Sequence, residues 1–226
     1  MKYTAANITG KNCRILINDV NFPTVYSCEM EEHFDAAEKT MELCSDVKCN
    51  FVIFGTSDWN CDLSPWEFAL NKKMSFSGGG SETLSWLVNQ CIPKCEKEYA
   101  LTGKRIICGY SLAGLFSLWA FYESRIFSAA VSCSGSLWFG GWLDFAENHS
   151  APSDSAVYLS LGDREEKSRD KVMSTVGDCT RCQYQLICAD GNVSRHILEW
   201  NAGGHFNEPE VRLAKGIRWA VSNLSP

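Results

Sequence analysis

One segment limits the fold more than any other: residues 105–121, RIICGYSLAGLFSLWAF. Ile106, Ile107 and Cys108 form a short apolar run of the kind that becomes a strand covered on both faces. From Leu115 onward apolar residues recur at helical spacing. A buried strand followed at once by a helix requires a very tight turn, and Ser111 stands at its apex. Gly109 and Ala113, two residues before and two after, are small enough for strand and helix to approach closely. Such a turn lifts the serine hydroxyl over the carboxyl end of a sheet. It also sets the serine at a helix N-terminus, where backbone N–H groups and the dipole favour developing negative charge.

The rest of the chain supplies the neighbours this segment needs. Residues 13–18 (CRILIN) and 23–27 (PTVYS) read as an opening pair of strands joined by a turn over 18–23. Residues 31–44 read as a helix, and 51–54 (FVIF) as a strand covered on both faces. A polar and aromatic loop over 56–80 follows, then a helix from Ser81 with a kink near Pro93. Beyond the central segment come strands at 129–133, 156–161 and 196–200, with helices over 178–189 and 208–224. Short apolar runs alternating with helical stretches predict one α/β domain over residues 1–226. Its architecture is a mostly parallel central sheet flanked by helices, a three-layer sandwich.

Charge and composition narrow the class. Acidic residues outnumber basic ones for a formal net charge of −6, and no dense Lys/Arg run is present, which argues against a nucleic-acid partner. No apolar stretch approaches the ~18 residues of a membrane span, and residues 1–4 lead into polar sequence, not a signal core. The twelve cysteines, several within apolar runs, are therefore expected to be reduced thiols of a cytoplasmic protein. Cys179 with Cys182 and Cys91 with Cys95 are lone pairs without a Cys/His partner pair, so no metal site is expected.

Ligands of such sheets collect at the carboxyl ends of the strands. Three of these ends carry reactive side chains: Ser111, an acidic cluster of Asp163, Glu165 and Glu166, and His205 in a glycine-flanked loop. Their order along the chain, serine, acid, histidine, is that of the α/β-hydrolase fold, and the turn at Ser111 matches its nucleophile elbow. A serine hydroxyl needs a base, an imidazole serves near neutrality, and a carboxylate fixes the imidazole tautomer. His205 is preferred over His33, His149 and His196, none of which follows a predicted strand end. A loop turning back over the sheet suits a carboxylate a few residues past Gly162, which favours Glu165, with Asp163 next. The oxyanion hole is expected to use the Leu112 N–H and one donor from Ser57, Asp58, Trp59 or Asn60, with Trp59 preferred. Trp59, Trp66, Trp138, Phe139 and Trp142 lie on loops at this end as candidate walls of a substrate pocket.

GYSLAG at 109–114, LGDRE at 161–165, GGHF at 203–206, WNCDLSPW at 59–66 and GGGSETLSWL at 78–87 resemble the esterase D-like branch of α/β-hydrolases. That branch includes siderophore esterases, feruloyl esterases and S-formylglutathione hydrolase. The resemblance runs from Phe51 onward. It implies an α/β-hydrolase fold and a catalytic carboxylate three residues after a glycine, which again points to Glu165. Ala113 stands where relatives usually carry glycine, and no arginine cluster suited to an anionic iron chelate is evident. The expected activity is cleavage of a small-molecule carboxylic ester through an acyl-enzyme, with no cofactor. The same triad would serve thioester hydrolysis or acyl transfer, and the fold without turnover would be a binding module.

Overall fold

The computed structural model describes residues 3–224. The chain enters the main sheet through β1 (Thr4–Ile8), β2 (Lys11–Leu16), β3 (Thr24–Met30) and β4 (Asn50–Thr56). Strands β5 (Glu67–Asn71) and β6 (Met74–Ser77) form a separate hairpin. The main sheet continues with β7 (Arg105–Tyr110), β8 (Ala129–Cys133), β9 (Ser155–Gly162) and β10 (Val193–Asn201). Its eight strands lie in the order β1-β2-β4-β3-β7-β8-β9-β10. The β1/β2 and β2/β4 pairs are antiparallel, and every pair from β4 to β10 is parallel.

Among the described residues eight α-helices accompany the sheet: α1 (Phe34–Leu43), α2 (Trp59–Asp62), α3 (Gly80–Trp86), α4 (Ile92–Tyr99), α5 (Leu112–Ser124), α6 (Trp142–Glu147), α7 (Val176–Ala189) and α8 (Pro209–Ser222). They cover both faces, and β4 shows why its run is wholly apolar. Phe51 and Ile53 face a cluster with Phe34 and Met41 of α1 and Ile217 of α8. Val52 and Phe54 face the larger cluster built on Trp86, Leu115, Phe116 and Trp119. Every residue of β4 is buried, as a strand between two helical layers requires. The helix after Ser111 is buried from Leu112 to Tyr122, so it is the central helix of its layer and has no solvent face.

Two expectations change, and two further features take a definite form. The strands over 13–18 and 23–27 are present but do not pair, because β4 lies between β2 and β3. Two-faced burial of β4 demands an inner position, which a hairpin of its neighbours would deny it. The partner of β2 on its outer side is β1, whose half-exposed TAANI sequence carries no apolar alternation. The stretch 56–80 is not loop throughout, since it holds α2 and the β5/β6 hairpin. The kink near Pro93 is a π-helical turn over Leu87–Cys91 between α3 and α4. Pro93 has no N–H to offer the carbonyl four residues before it, and a wider turn accommodates the loss.

Candidate active site

The turn at Ser111 is as tight as its sequence demands. A Cβ at Gly109 would lie 2.2 Å from the Ala113 carbonyl oxygen and 2.8 Å from the Ala113 Cβ. Glycine at 109 is therefore what allows alanine at 113. Ser111 itself has φ 58° and ψ −123°, a conformation that costs a non-glycine residue about 1–3 kcal/mol. Neighbouring backbone holds it there: the Ser111 N–H donates to the Cys133 carbonyl, and the Ser136 N–H donates to the Ser111 carbonyl, each at 3.0 Å.

His205 sits in the turn between β10 and α8. Gly203 has φ 103°, and the Asn207 side-chain oxygen accepts the Gly204 N–H at 2.7 Å, so the loop is folded back on itself. The imidazole lies between two partners, with Nε2 3.0 Å from Ser111 Oγ and Nδ1 2.7 Å from Glu165 Oε2. The Glu165 side chain is 4% exposed. Burial pushes its carboxyl pKa up, but hydrogen bonds from His205, Ser134 and the Gly162 N–H outweigh burial and hold it below the ordinary carboxylate value. An ionised Glu165 only accepts, so Nδ1 must carry the proton and Nε2 is left to accept from Ser111.

The other acidic residues have different tasks. Asp163 is exposed, and its carboxylate accepts the Gly203 N–H at 2.8 Å, clamping the histidine loop without touching the imidazole. Glu166 pairs with Arg181 at 2.9 Å on the surface. Among the remaining histidines, His196 lies 3.2 Å from the Tyr184 hydroxyl, His149 stacks on Phe145, and His33 is exposed beside Glu32.

Sequence reasoning missed the group behind the acid. Arg212 of α8 has a side chain only 3% exposed. Its guanidinium donates to Glu165 Oε1 and Ser134 Oγ at 3.2 Å each, and to Tyr110 Oη at 3.1 Å. Its second arm donates to the carbonyls of Ala202 and Gly204 at 3.2 and 3.1 Å. Ser134 donates to Glu165 Oε1 at 2.6 Å, and Tyr110 donates to the His205 carbonyl at 2.6 Å. Burial raises the Tyr110 phenol to about 12, which keeps it a donor. A signal for Arg212 did exist: Arg212, Gly216 and Ala220 share the buried stripe of α8, and a cation there requires a buried anion.

Leu112 opens α5 and Trp59 opens α2, so both backbone N–H groups belong to first-turn positions that lack helical acceptors. Asp58 caps α2 by accepting the Cys61 N–H at 3.0 Å. Thr56, whose hydroxyl donates to Asp62, fixes the same turn by accepting the Asp58 N–H at 3.2 Å.

Two cavities meet at Ser111 and His205. One, of about 530 Å³, is bordered by Leu112, Asn60, Trp138, Arg164 and Lys167. The other, of about 460 Å³, runs between α1 and α8. Trp59 borders both and Trp138 the first, as wall residues should. Trp66, Phe139 and Trp142 do not serve as walls. Trp142 is fully buried against Tyr122 and Phe145, and Phe139 is buried against Phe68 and Phe76. Trp66 turns inward to donate its indole N–H to the Gly140 carbonyl at 2.8 Å. Loop position reveals which end of the sheet a tryptophan occupies, but not which way its ring turns, and rings this large gain most by packing under the loop.

No family model matches the chain, and no curated protein matches it in sequence. Solved structures do match in fold. An IroE-like serine hydrolase from Shewanella oneidensis superposes with TM-score 0.78 at 17% identity, over 96% of this chain and 79% of that one. The siderophore hydrolase EstA from Aspergillus nidulans gives 0.72 at 17% identity, over 98% and 93%. A ferulic acid esterase gives 0.66 at 13% identity, over 98% and 97%. The chain has the α/β-hydrolase fold expected from its motifs. Among the described residues no helix is long and apolar enough to cross a membrane.

Proposed function

We propose that the chain is a serine hydrolase that cleaves a small-molecule carboxylic ester through an acyl-enzyme. One observation carries this reading: a single imidazole lies within hydrogen-bond reach of both a strained elbow serine and a buried, ionised carboxylate. Ser111 Oγ attacks the ester carbonyl carbon while His205 Nε2 takes its proton. The carbonyl oxygen becomes an oxyanion held by the N–H groups of Leu112 and Trp59. Collapse of the tetrahedral intermediate breaks the bond to the alcohol oxygen, which receives the proton from His205. Water then attacks the acyl-enzyme with His205 again as base, releasing the acid and restoring Ser111. Throughout, Glu165 holds the imidazole tautomer and stabilises the imidazolium.

Structural neighbours described as a siderophore hydrolase and a ferulic acid esterase support ester hydrolysis as the class. The twelve unpaired cysteines support a reducing, cytoplasmic setting. A fluorophosphonate probe tests the reading directly. Stoichiometric labelling at Ser111, abolished in His205→Ala, is the expected result; no labelling, or labelling elsewhere, would refute it.

A further inference from the structure

The cavity between α1 and α8 has no place in the chemistry just described. The two helices run side by side down one face of the sheet and meet away from Ser111. Cys44 Sγ contacts the Ala214 carbonyl at 3.9 Å, and Arg218 pairs with Asp46 at 2.6 Å. Toward the catalytic end the Lys39–Glu210 ion pair, at 3.5 Å, joins the helices at their surface. Beneath it the helices part, leaving the space of about 460 Å³. Its floor is the sheet itself, through Phe51, Ile53 and Cys108, and its sides are Met41, Leu213 and Ile217. Ser111 and His205 stand at its entrance, flanked by Tyr110, Trp59 and Phe206. Phe206 is 91% exposed, an apolar ring left in water beside the imidazole.

The acidic groups that border this cavity are Glu29, Glu32 and Glu210, with the His33 ring beside them. An apolar depth with acids at its edge disfavours an anionic ligand and suits an uncharged hydrocarbon. The cavity on the other side of Ser111 also has apolar walls, among them Phe76, Leu112, Trp138 and Val176, but its charged border differs, with Arg164 and Lys167 beside Glu165. Resting on the esterase reading, we propose that the α1/α8 cavity is the acyl site, taking a straight aliphatic acyl chain, while the alcohol leaves through the Arg164/Lys167 side. Hydrolysis frees a carboxylate at Ser111, between those acids and the cations Arg164 and Lys167, so the product is repelled from the entrance of the site its chain occupied.

Two ester series read the proposal. Along p-nitrophenyl esters from acetate to decanoate, kcat/KM should rise by up to about fourfold per methylene, corresponding to ~0.8 kcal/mol per buried CH₂, until the chain fills the cavity. Acetates of straight-chain alcohols of the same lengths should show a much flatter profile. Leu213→Trp, which fills the cavity from α8, should lower the octanoate-to-acetate ratio of kcat/KM at least tenfold. Ala36→Trp, at the half-buried edge of α1, should lower it in the same direction and guards against a folding defect in the first variant. A flat acyl profile, or ratios unchanged in both variants, overturns the assignment. Sensitivity confined to the alcohol series overturns it as well, by placing the leaving group there. Fluorophosphonate labelling of Ser111 in the same preparations keeps the two readings apart. Labelled enzyme with a flat profile contradicts only the acyl site, whereas unlabelled wild-type enzyme contradicts the hydrolase itself.

Discussion

Arg212 Nη1 and Glu165 Oε1 lie 3.2 Å apart in a region where both side chains are almost wholly buried. The arginine binds the oxygen that His205 does not use, so the carboxylate is fixed from behind while its other oxygen faces the imidazole. The same guanidinium holds the Ala202 and Gly204 carbonyls of the histidine loop. One side chain thus sets the position of Glu165 and of the His205 loop together.

Replacing Arg212 by methionine should therefore be severe. It strips a buried carboxylate of one partner, a change that typically costs about 3–5 kcal/mol. Urea unfolding should show that loss. Arg212→Lys should recover only part of it, because an ammonium cannot reach all five acceptors of the planar fork.

Glu165→Gln should lower kcat by about two or more orders of magnitude, because an amide can present its N–H to Nδ1 and select the wrong tautomer. Asp163→Asn should act on the loop clamp at Gly203 and cost activity far less. Steady-state kinetics of the two variants decide between them, and the reverse ranking would reassign the acid.

The pH dependence of stability follows from the same carboxylate. Its folded pKa lies below that of the unfolded chain, about 4.3, so its contribution is complete above that value and is lost as pH falls through the folded pKa. The stability gap between wild type and Glu165→Gln should shrink as pH falls below about 4. Urea titrations across that range measure it. A gap that grows on acidification would contradict the depressed pKa.

Gly109→Ala should disable the elbow. Its Cβ would collide with the Ala113 backbone at 2.2 Å, where nothing flexible can yield. A destabilisation of roughly 3 kcal/mol is expected, with loss of activity even where the variant folds. Thermal unfolding and turnover of the purified variant check both effects.

The residues that share the imidazole were legible because each lies next to its own local signal. Ser111 stands between a buried strand and a helix, His205 among glycines after a strand, and Glu165 three residues past Gly162. Arg212 was legible only as a cation on the buried stripe of α8, with no partner named, and Ser134 had no local signal, because the tertiary fold alone brings them to Glu165. The same distinction separates the parallel strands from β1. The former carry their burial in continuous apolar runs, whereas β1 is ordered by pairing to β2 and has little apolar content of its own. It also explains the tryptophans. Trp59 and Trp138 face the cavities, while Trp66 and Trp142 turn inward toward Gly140 and Tyr122, a choice made by contacts across the fold.

The most direct test is hydrolysis of p-nitrophenyl acetate by Ser111→Ala beside wild type and His196→Ala. Ser111→Ala should lose activity by roughly 10³-fold or more. His196→Ala, whose ring contacts Tyr184 and Cys188 far from the site, should stay within a fewfold of wild type. Near-normal turnover by folded Ser111→Ala would contradict the account at its centre.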